Sequence, residues 1–214
     1  MEKIYCISGM AADERVFSRL KIDGYKLQPV SWIPFELDDT LQSYAKKLSL
    51  HIPGDTPLVL GYSLGGMLAI EICKLRATKK TILISSAKCR DELPQMAKIP
   101  LASTLVDLLP DSFFAKPSRY FFQLIGTKNA AQRKLVSAMM RDTPGGFMKW
   151  QLKHIIEWKN KEYSPGVIHV HGTKDLLIPP DNVQASYLIK GGTHLMIYNR
   201  AEQVSKIISD CLSS

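Results

Sequence analysis

Closely spaced cysteines and long apolar runs are both absent from this sequence of 214 residues. The four cysteines are widely spaced and include no Cys-x-x-Cys pair, so we expect reduced, mostly buried thiols and neither a disulfide framework nor a zinc site. No stretch approaches 18 apolar residues, and the apolar run near Met1 is too short for a signal peptide. These absences predict a cytoplasmic protein with no membrane span.

Internal repeats and low-complexity tracts are also absent. Hydrophobic residues make up 45% of the sequence and charged residues 22%, a globular balance that excludes disordered, collagen-like and fibrous classes. The length suits one domain with a modest insertion and is too short for two domains of full size.

Acidic residues are scarce relative to basic ones, at 20 against 28, which gives a formal net charge of +8. A basic balance favours nucleic acid, anionic lipid or an acidic ligand. The surplus is concentrated in residues 88–162, which hold 13 basic and 7 acidic side chains. Because these cations are scattered and no binding motif accompanies them, we expect no nucleic-acid partner. A solvated face is the simplest interpretation, and attraction of an anionic small-molecule substrate is the next.

Short apolar strands alternate with helical patterns along most of the chain. This alternation predicts an α/β fold with a mostly parallel sheet of about six strands flanked by helices. The predicted strands are 3–7, 25–30, 57–60, 81–85, 166–171 and 184–189. The predicted helices of this core are 12–20, 41–50, 67–75 and 200–212.

Residues 87–163 interrupt the alternation, because they contain no convincing strand and several helical segments that prolines cut short. We expect this range to form a helical cap, or lid, over the carboxyl edge of a core made of residues 1–86 and 164–214, within a single domain. The range is rich in aromatic side chains, which we expect chiefly to pack the cap onto the sheet and in part to line an apolar pocket. They are Phe113, Phe114, Tyr120, Phe121 and Phe122.

The sharpest local pattern is Gly61-Tyr62-Ser63-Leu64-Gly65, between an apolar strand and a helix. Gly-x-Ser-x-Gly in this context is typical of a nucleophile elbow, in which a tight turn pushes the serine hydroxyl out above the sheet. Side chains at the two glycine positions would collide with the neighbouring strand and helix. We therefore predict Ser63 as a nucleophile, with Gly61 and Gly65 as supporting residues.

A nucleophilic serine needs a general base, and the chain has five histidines. His194 lies in a glycine-rich loop after the last predicted strand, where an imidazole can reach Ser63 at the carboxyl end of the sheet. We predict it as the base. The other four occupy helical, post-helical or strand positions: His51, His154, His169 and His171.

The base needs an orienting carboxylate. Asp175 follows the strand that ends near His171, and it gives the chain order Ser, Asp, His that this mechanism requires on such a sheet. Asp181, six residues later, remains the competing candidate.

A tetrahedral intermediate needs two donors aimed at its oxyanion. The first is expected from the backbone N–H of Leu64, at the amino end of the helix that follows the nucleophile. The second is expected from the N–H of Met10 in the loop after the first strand, where Gly9 permits the turn.

Together these motifs resemble the α/β-hydrolase superfamily, in the Gly9 turn, the elbow, the turn from His171 to Asp175 and the Gly192-Thr193-His194 loop. The resemblance implies an α/β-hydrolase fold that lacks the family's first two strands. The tail from Gly192 resembles the small esterase and hydroxynitrile lyase group. Those lyases carry lysine directly after the catalytic histidine, whereas Leu195 stands here, which favours ester hydrolysis.

The resemblance implies a carboxylesterase or thioesterase that acts on a small-molecule ester or thioester through a Ser-His-Asp triad and an acyl-enzyme, with no metal or organic cofactor. Ser8-Gly9 replaces the family's usual His-Gly before the oxyanion loop. This departure keeps open a non-catalytic ligand-binding or signalling protein, and a lyase or haloperoxidase on the same triad also remains open. The sequence leaves the oligomeric state undetermined.

Overall fold

A sheet of six parallel strands forms the centre of the computed structural model, which describes residues 1–99, 101–114 and 117–213. The strand order across the sheet is β2-β1-β3-β4-β5-β6. The strands are β1 (Glu2–Ile7), β2 (Tyr25–Val30), β3 (Leu58–Tyr62), β4 (Lys80–Ile84), β5 (Ile168–Gly172) and β6 (Tyr187–Ile189). The predicted parallel sheet of about six strands is confirmed.

Helices cover both faces of this sheet, because successive residues of each strand point to opposite sides. Ile4 and Cys6 of β1 join one buried cluster, with α8 against it, whereas Tyr5 and Ile7 join a second cluster formed with α1 and α2. The α-helices are α1 (Leu41–Ser49), α2 (Leu64–Leu75), α3 (Ala102–Leu108), α4 (Arg119–Ile125), α5 (Ala130–Asp142), α6 (Gly145–Glu157), α7 (Met196–Asn199) and α8 (Ala201–Ser213).

Three predicted elements begin or end three residues away from their observed bounds, and one of them is the helix predicted at 67–75, which begins at Leu64. The helix predicted at 12–20 is a single 3₁₀ turn, Glu14–Phe17. The turn is closed at both ends, because the Asp13 carboxylate accepts Arg15 N–H and the Ser18 hydroxyl donates to the Arg15 carbonyl. The last strand begins at Tyr187 and not at 184. Directly before this strand, the side chain of Ser186 contacts β5, since Ser186 Oγ accepts from His169 N–H at 3.1 Å.

The range 87–163 contains α3 to α6 and several 3₁₀ turns, and its buried side chains join the same two clusters as the sheet. Pro100, Ala115 and Lys116 of this range lie outside the described residues. Phe114 is buried, but Phe113 and Tyr120 are 62% and 68% exposed, so the expectation that the aromatic residues mainly pack onto the sheet is wrong for these two. They lie on the outer surface, where the aromatic pattern alone could not distinguish them from Phe114.

Candidate active site

Ser63 lies at the carboxyl end of β3, directly before α2. Its backbone has φ +52° and ψ −120°, a conformation that non-glycine residues rarely adopt. The surrounding chain holds this turn, since Ser63 N–H donates to Ile84 O at 3.0 Å and Ser86 Oγ donates to Ser63 O at 2.6 Å. The strained turn leaves Ser63 only half-buried at the edge of the sheet.

Glycines permit this tight approach. A Cβ at Gly61 would lie 2.3 Å from Gly65 O, and one at Gly65 would lie 2.1 Å from Ile7 O, so any side chain would clash with the backbone. A Cβ at Gly66 would lie 2.3 Å from Ser86 Oγ, so the third glycine leaves room for the serine that holds the turn. Gly61 and Gly65 therefore support the turn by leaving room where a side chain would clash with the backbone.

His194 bridges Ser63 and Asp175. Its Nε2 lies 2.9 Å from Ser63 Oγ, and its Nδ1 lies 2.8 Å from Asp175 Oδ2. A carboxylate only accepts hydrogen bonds, so the proton belongs on Nδ1 and Nε2 is free to accept from the serine. Thus the three side chains that the sequence singled out meet in one hydrogen-bonded row. Asp181 does not meet them; it is exposed in the 3₁₀ turn Pro180–Asn182.

Asp175 is fully buried and fixed by its own loop. Its Oδ1 accepts the backbone N–H groups of Leu177 at 3.0 Å and Ile178 at 2.9 Å, so that Oδ2 is left for His194. Burial raises the pKa of this carboxyl, but the neighbouring His194 and His171 and the hydrogen bonds outweigh burial and hold the pKa below its usual value. The group is therefore a carboxylate at neutral pH.

The loops that carry the base and the acid are bonded to each other. Lys174 N–H donates to Gly192 O at 2.8 Å, and Gly191 N–H donates to Thr173 Oγ1 at 2.8 Å. These bonds fix the distance between the turn that ends at Asp175 and the loop that presents His194.

A second imidazole lies beside Asp175. His171 Nε2 donates to Ile178 O at 2.9 Å and lies 3.6 Å from Asp175 Oδ2, and His171 Nδ1 is 3.3 Å from His169 Nε2. Burial lowers the pKa of His171, and it lowers that of His169 to about 3, so both rings are neutral at pH 7. Both are strand residues, as predicted. The strand pattern gave no signal that His171 also holds the loop of the acid.

The two predicted oxyanion donors are unengaged. Within residues 1–99, 101–114 and 117–213, neither Met10 N–H nor Leu64 N–H has a hydrogen-bond acceptor. The Met10 loop lies against the nucleophile, because a Cβ at Gly9 would be 3.0 Å from Ser63 Cβ. Leu64 begins α2, whose amino end also favours negative charge.

The helical range is hydrogen-bonded to the loops of the site through residues that the sequence did not indicate. Ile125, at the end of α4, accepts from the N–H of Leu195, next to His194, at 2.9 Å. From α6, Gln151 Oε1 accepts from Ala11 N–H in the Met10 loop at 3.2 Å. Neither residue belongs to a motif, so only the tertiary structure brings them to the site.

No cluster of three or more His, Cys, Asp or Glu side chains that could hold a metal ion occurs in the part of the chain that the structure describes. Among those same residues, no helix is long and apolar enough to cross a membrane.

No protein-family model and no curated protein matches this sequence. Solved structures do match. A thermophilic esterase from Thermogutta terrifontis has a TM-score of 0.73 at 15% identity, over 100% of this chain and 90% of that one. A meta-cleavage product hydrolase from Pseudomonas fluorescens IP01 has a TM-score of 0.68 at 12% identity, over 100% and 91% of the two chains. ClbQ from the colibactin NRPS/PKS pathway has a TM-score of 0.65 at 14% identity, over 99% and 96%.

At these identities the likeness shows the fold, and the chain has the α/β-hydrolase fold. The resemblance drawn from the elbow, the acid turn and the histidine loop is thus confirmed at the level of architecture. The fold alone does not define the chemistry of the site.

Proposed function

We propose that this protein is a serine hydrolase that cleaves a carboxylic ester or thioester of a small molecule through an acyl-enzyme. The observation that carries the proposal is the continuous row from Ser63 Oγ through His194 to Asp175, with hydrogen bonds of 2.9 and 2.8 Å. A nucleophile bonded to a base, and a base bonded to an orienting carboxylate, is the arrangement that acyl transfer requires.

In the first half-reaction, Ser63 Oγ attacks the carbonyl carbon while His194 Nε2 takes its proton. The buried carboxylate of Asp175 stabilises the imidazolium that forms. The negative charge that develops on the carbonyl oxygen is stabilised by the N–H groups of Met10 and Leu64. When the tetrahedral intermediate collapses, Nε2–H protonates the departing alkoxide or thiolate, and the acyl group remains on Ser63.

In the second half-reaction, His194 Nε2 removes a proton from water as the water attacks the acyl carbonyl. Collapse of this second intermediate returns the proton to Ser63 Oγ and releases a carboxylic acid. Each proton transfer uses only His194 and each charge has a partner in the chain, so water is the only co-reactant that these steps need.

The alternatives have weaker support. A lyase would place a lysine directly after the base, but Leu195 stands there, and it is buried with its N–H bonded to Ile125 O. A non-catalytic ligand-binding protein would not need Asp175 to keep the proton of His194 on Nδ1, nor His194 Nε2 to lie within hydrogen-bond distance of Ser63 Oγ. A haloperoxidase on the same residues has no observation of its own in its favour.

The proposal is tested with wild-type protein, using p-nitrophenyl butyrate and a butyryl thioester as substrates and mandelonitrile cleavage as the comparison. We expect repeated turnover of at least one of the two acyl substrates and no cleavage of the cyanohydrin. Folded protein that turns over neither acyl substrate would contradict the proposal and favour the ligand-binding alternative. Cyanohydrin cleavage faster than ester hydrolysis would favour the lyase.

A further inference from the structure

In the loop after β1, the neighbouring N–H groups of Met10 and Ala11 have different surroundings. Ala11 has φ +54°, in the left-handed region, and Ala12 N–H closes a turn onto Gly9 O at 3.1 Å. Ala11 N–H is bonded to Gln151 Oε1, 140 residues away in the sequence, whereas Met10 N–H is unengaged among the described residues. The bond to Gln151 therefore fixes the loop in the conformation that leaves Met10 N–H available.

Gln151 is fully buried, and one half of its amide is unused. Its Nε2 has no hydrogen-bond partner within the described ranges. The orientation of the amide is determined, because the reverse orientation would set Nε2 against the N–H of Ala11, donor against donor. The Oε1 atom therefore faces Ala11 N–H.

The helix that carries Gln151 is held rigidly. Trp150 of α6 packs against Tyr44 of α1 at 4.9 Å between ring centroids, and Phe147 stacks on Phe35 at 5.4 Å. Such packing on the second face of the sheet fixes the helix and therefore the amide. A polar group held on a packed helix can position a loop more sharply than a group on another loop.

We propose that Gln151 is a positioning residue for the oxyanion loop. Its Oε1 holds Ala11 N–H and so orients Met10 N–H toward the carbonyl attacked by Ser63. This role presupposes the proposed function.

The positioning role is tested with Gln151→Met, which keeps the size of the side chain and removes its hydrogen bond to Ala11 N–H. With p-nitrophenyl butyrate we expect kcat to fall about ten-fold and KM to change little, because a displaced oxyanion donor weakens mainly the transition state. Gln132→Met is the matched control, since Gln132 is also buried and its Oε1 accepts Lys128 N–H at 2.7 Å on α5. An equal loss in both variants, or none in Gln151→Met, would overturn the positioning role.

Wild-type protein supplies a measurement that does not depend on the variant folding. Hydrogen exchange followed by NMR should show Ala11 N–H protected and Met10 N–H exchanging faster. Equal exchange rates would contradict the bond to Gln151. Wild-type protein that hydrolyses no ester or thioester would reject the proposed function itself, whereas an active wild type with an unaffected Gln151→Met rejects only this inference.

Discussion

Ser63→Ala is expected to lower kcat/KM for p-nitrophenyl butyrate by about 10⁴-fold or more, without changing the thermal unfolding midpoint. In the proposed mechanism the Oγ atom attacks the carbonyl, and His194 Nε2, the proposed base, lies 2.9 Å from it. Alanine keeps the Cβ and meets the same backbone strain at φ +52°, so the elbow is preserved. Initial rates and a thermal melt of the same preparation measure both effects.

Ser85→Ala is the matched control for this substitution. Ser85 is fully buried at the end of β4, also has a positive φ of +48°, and its Oγ has no partner in the part of the chain described here. Removal of its hydroxyl is expected to leave the rate within about two-fold of wild type, since no hydrogen bond is lost. Comparable rates for Ser63→Ala and wild type would mean that another group performs the attack.

Asp175→Asn is expected to lower kcat by about 10⁴-fold. The Oδ1 atom accepts two backbone N–H groups, from Leu177 and Ile178, and an amide nitrogen cannot replace it there. The NH₂ group of the new amide must then occupy the position of Oδ2 and face His194 Nδ1. Because this NH₂ group donates, His194 Nδ1 has to accept. The remaining proton moves to Nε2, and Nε2 can no longer accept from Ser63. Steady-state kinetics at pH 7 to 8 measure the loss.

Asp181→Asn tests the competing acid by the same chemical change. Asp181 is exposed six residues further on, so its replacement is expected to leave kcat within about two-fold of wild type. If Asp181→Asn caused the large loss and Asp175→Asn did not, the assignment of the orienting carboxylate would be reversed.

The fold follows from the sequence because the strands are short apolar runs whose helical connections force a parallel arrangement. The helix predicted at 12–20 was too long for a physical reason. Val16 and Phe17 are buried in a single 3₁₀ turn in the same way as they would be on a longer helix. The pattern of burial alone therefore could not determine its length.

The meeting of Ser63, His194 and Asp175 was predictable because each follows a strand of one parallel sheet, and the carboxyl ends of such strands share an edge. Gln151 and Ile125 were not predictable in the same way. They belong to helices inserted between β4 and β5, whose placement depends on packing between distant residues. The same holds for His171, whose strand position indicated only that it is buried.

Labelling with a fluorophosphonate is the most direct test of whether Ser63 is an activated nucleophile. Peptide mass spectrometry after labelling should find one phosphonyl group per chain, on Ser63, with no labelling of Ser63→Ala and strongly slowed labelling of Asp175→Asn. Folded wild-type protein that does not react, or that carries the label on another residue, would contradict the assignment of Ser63 as the nucleophile.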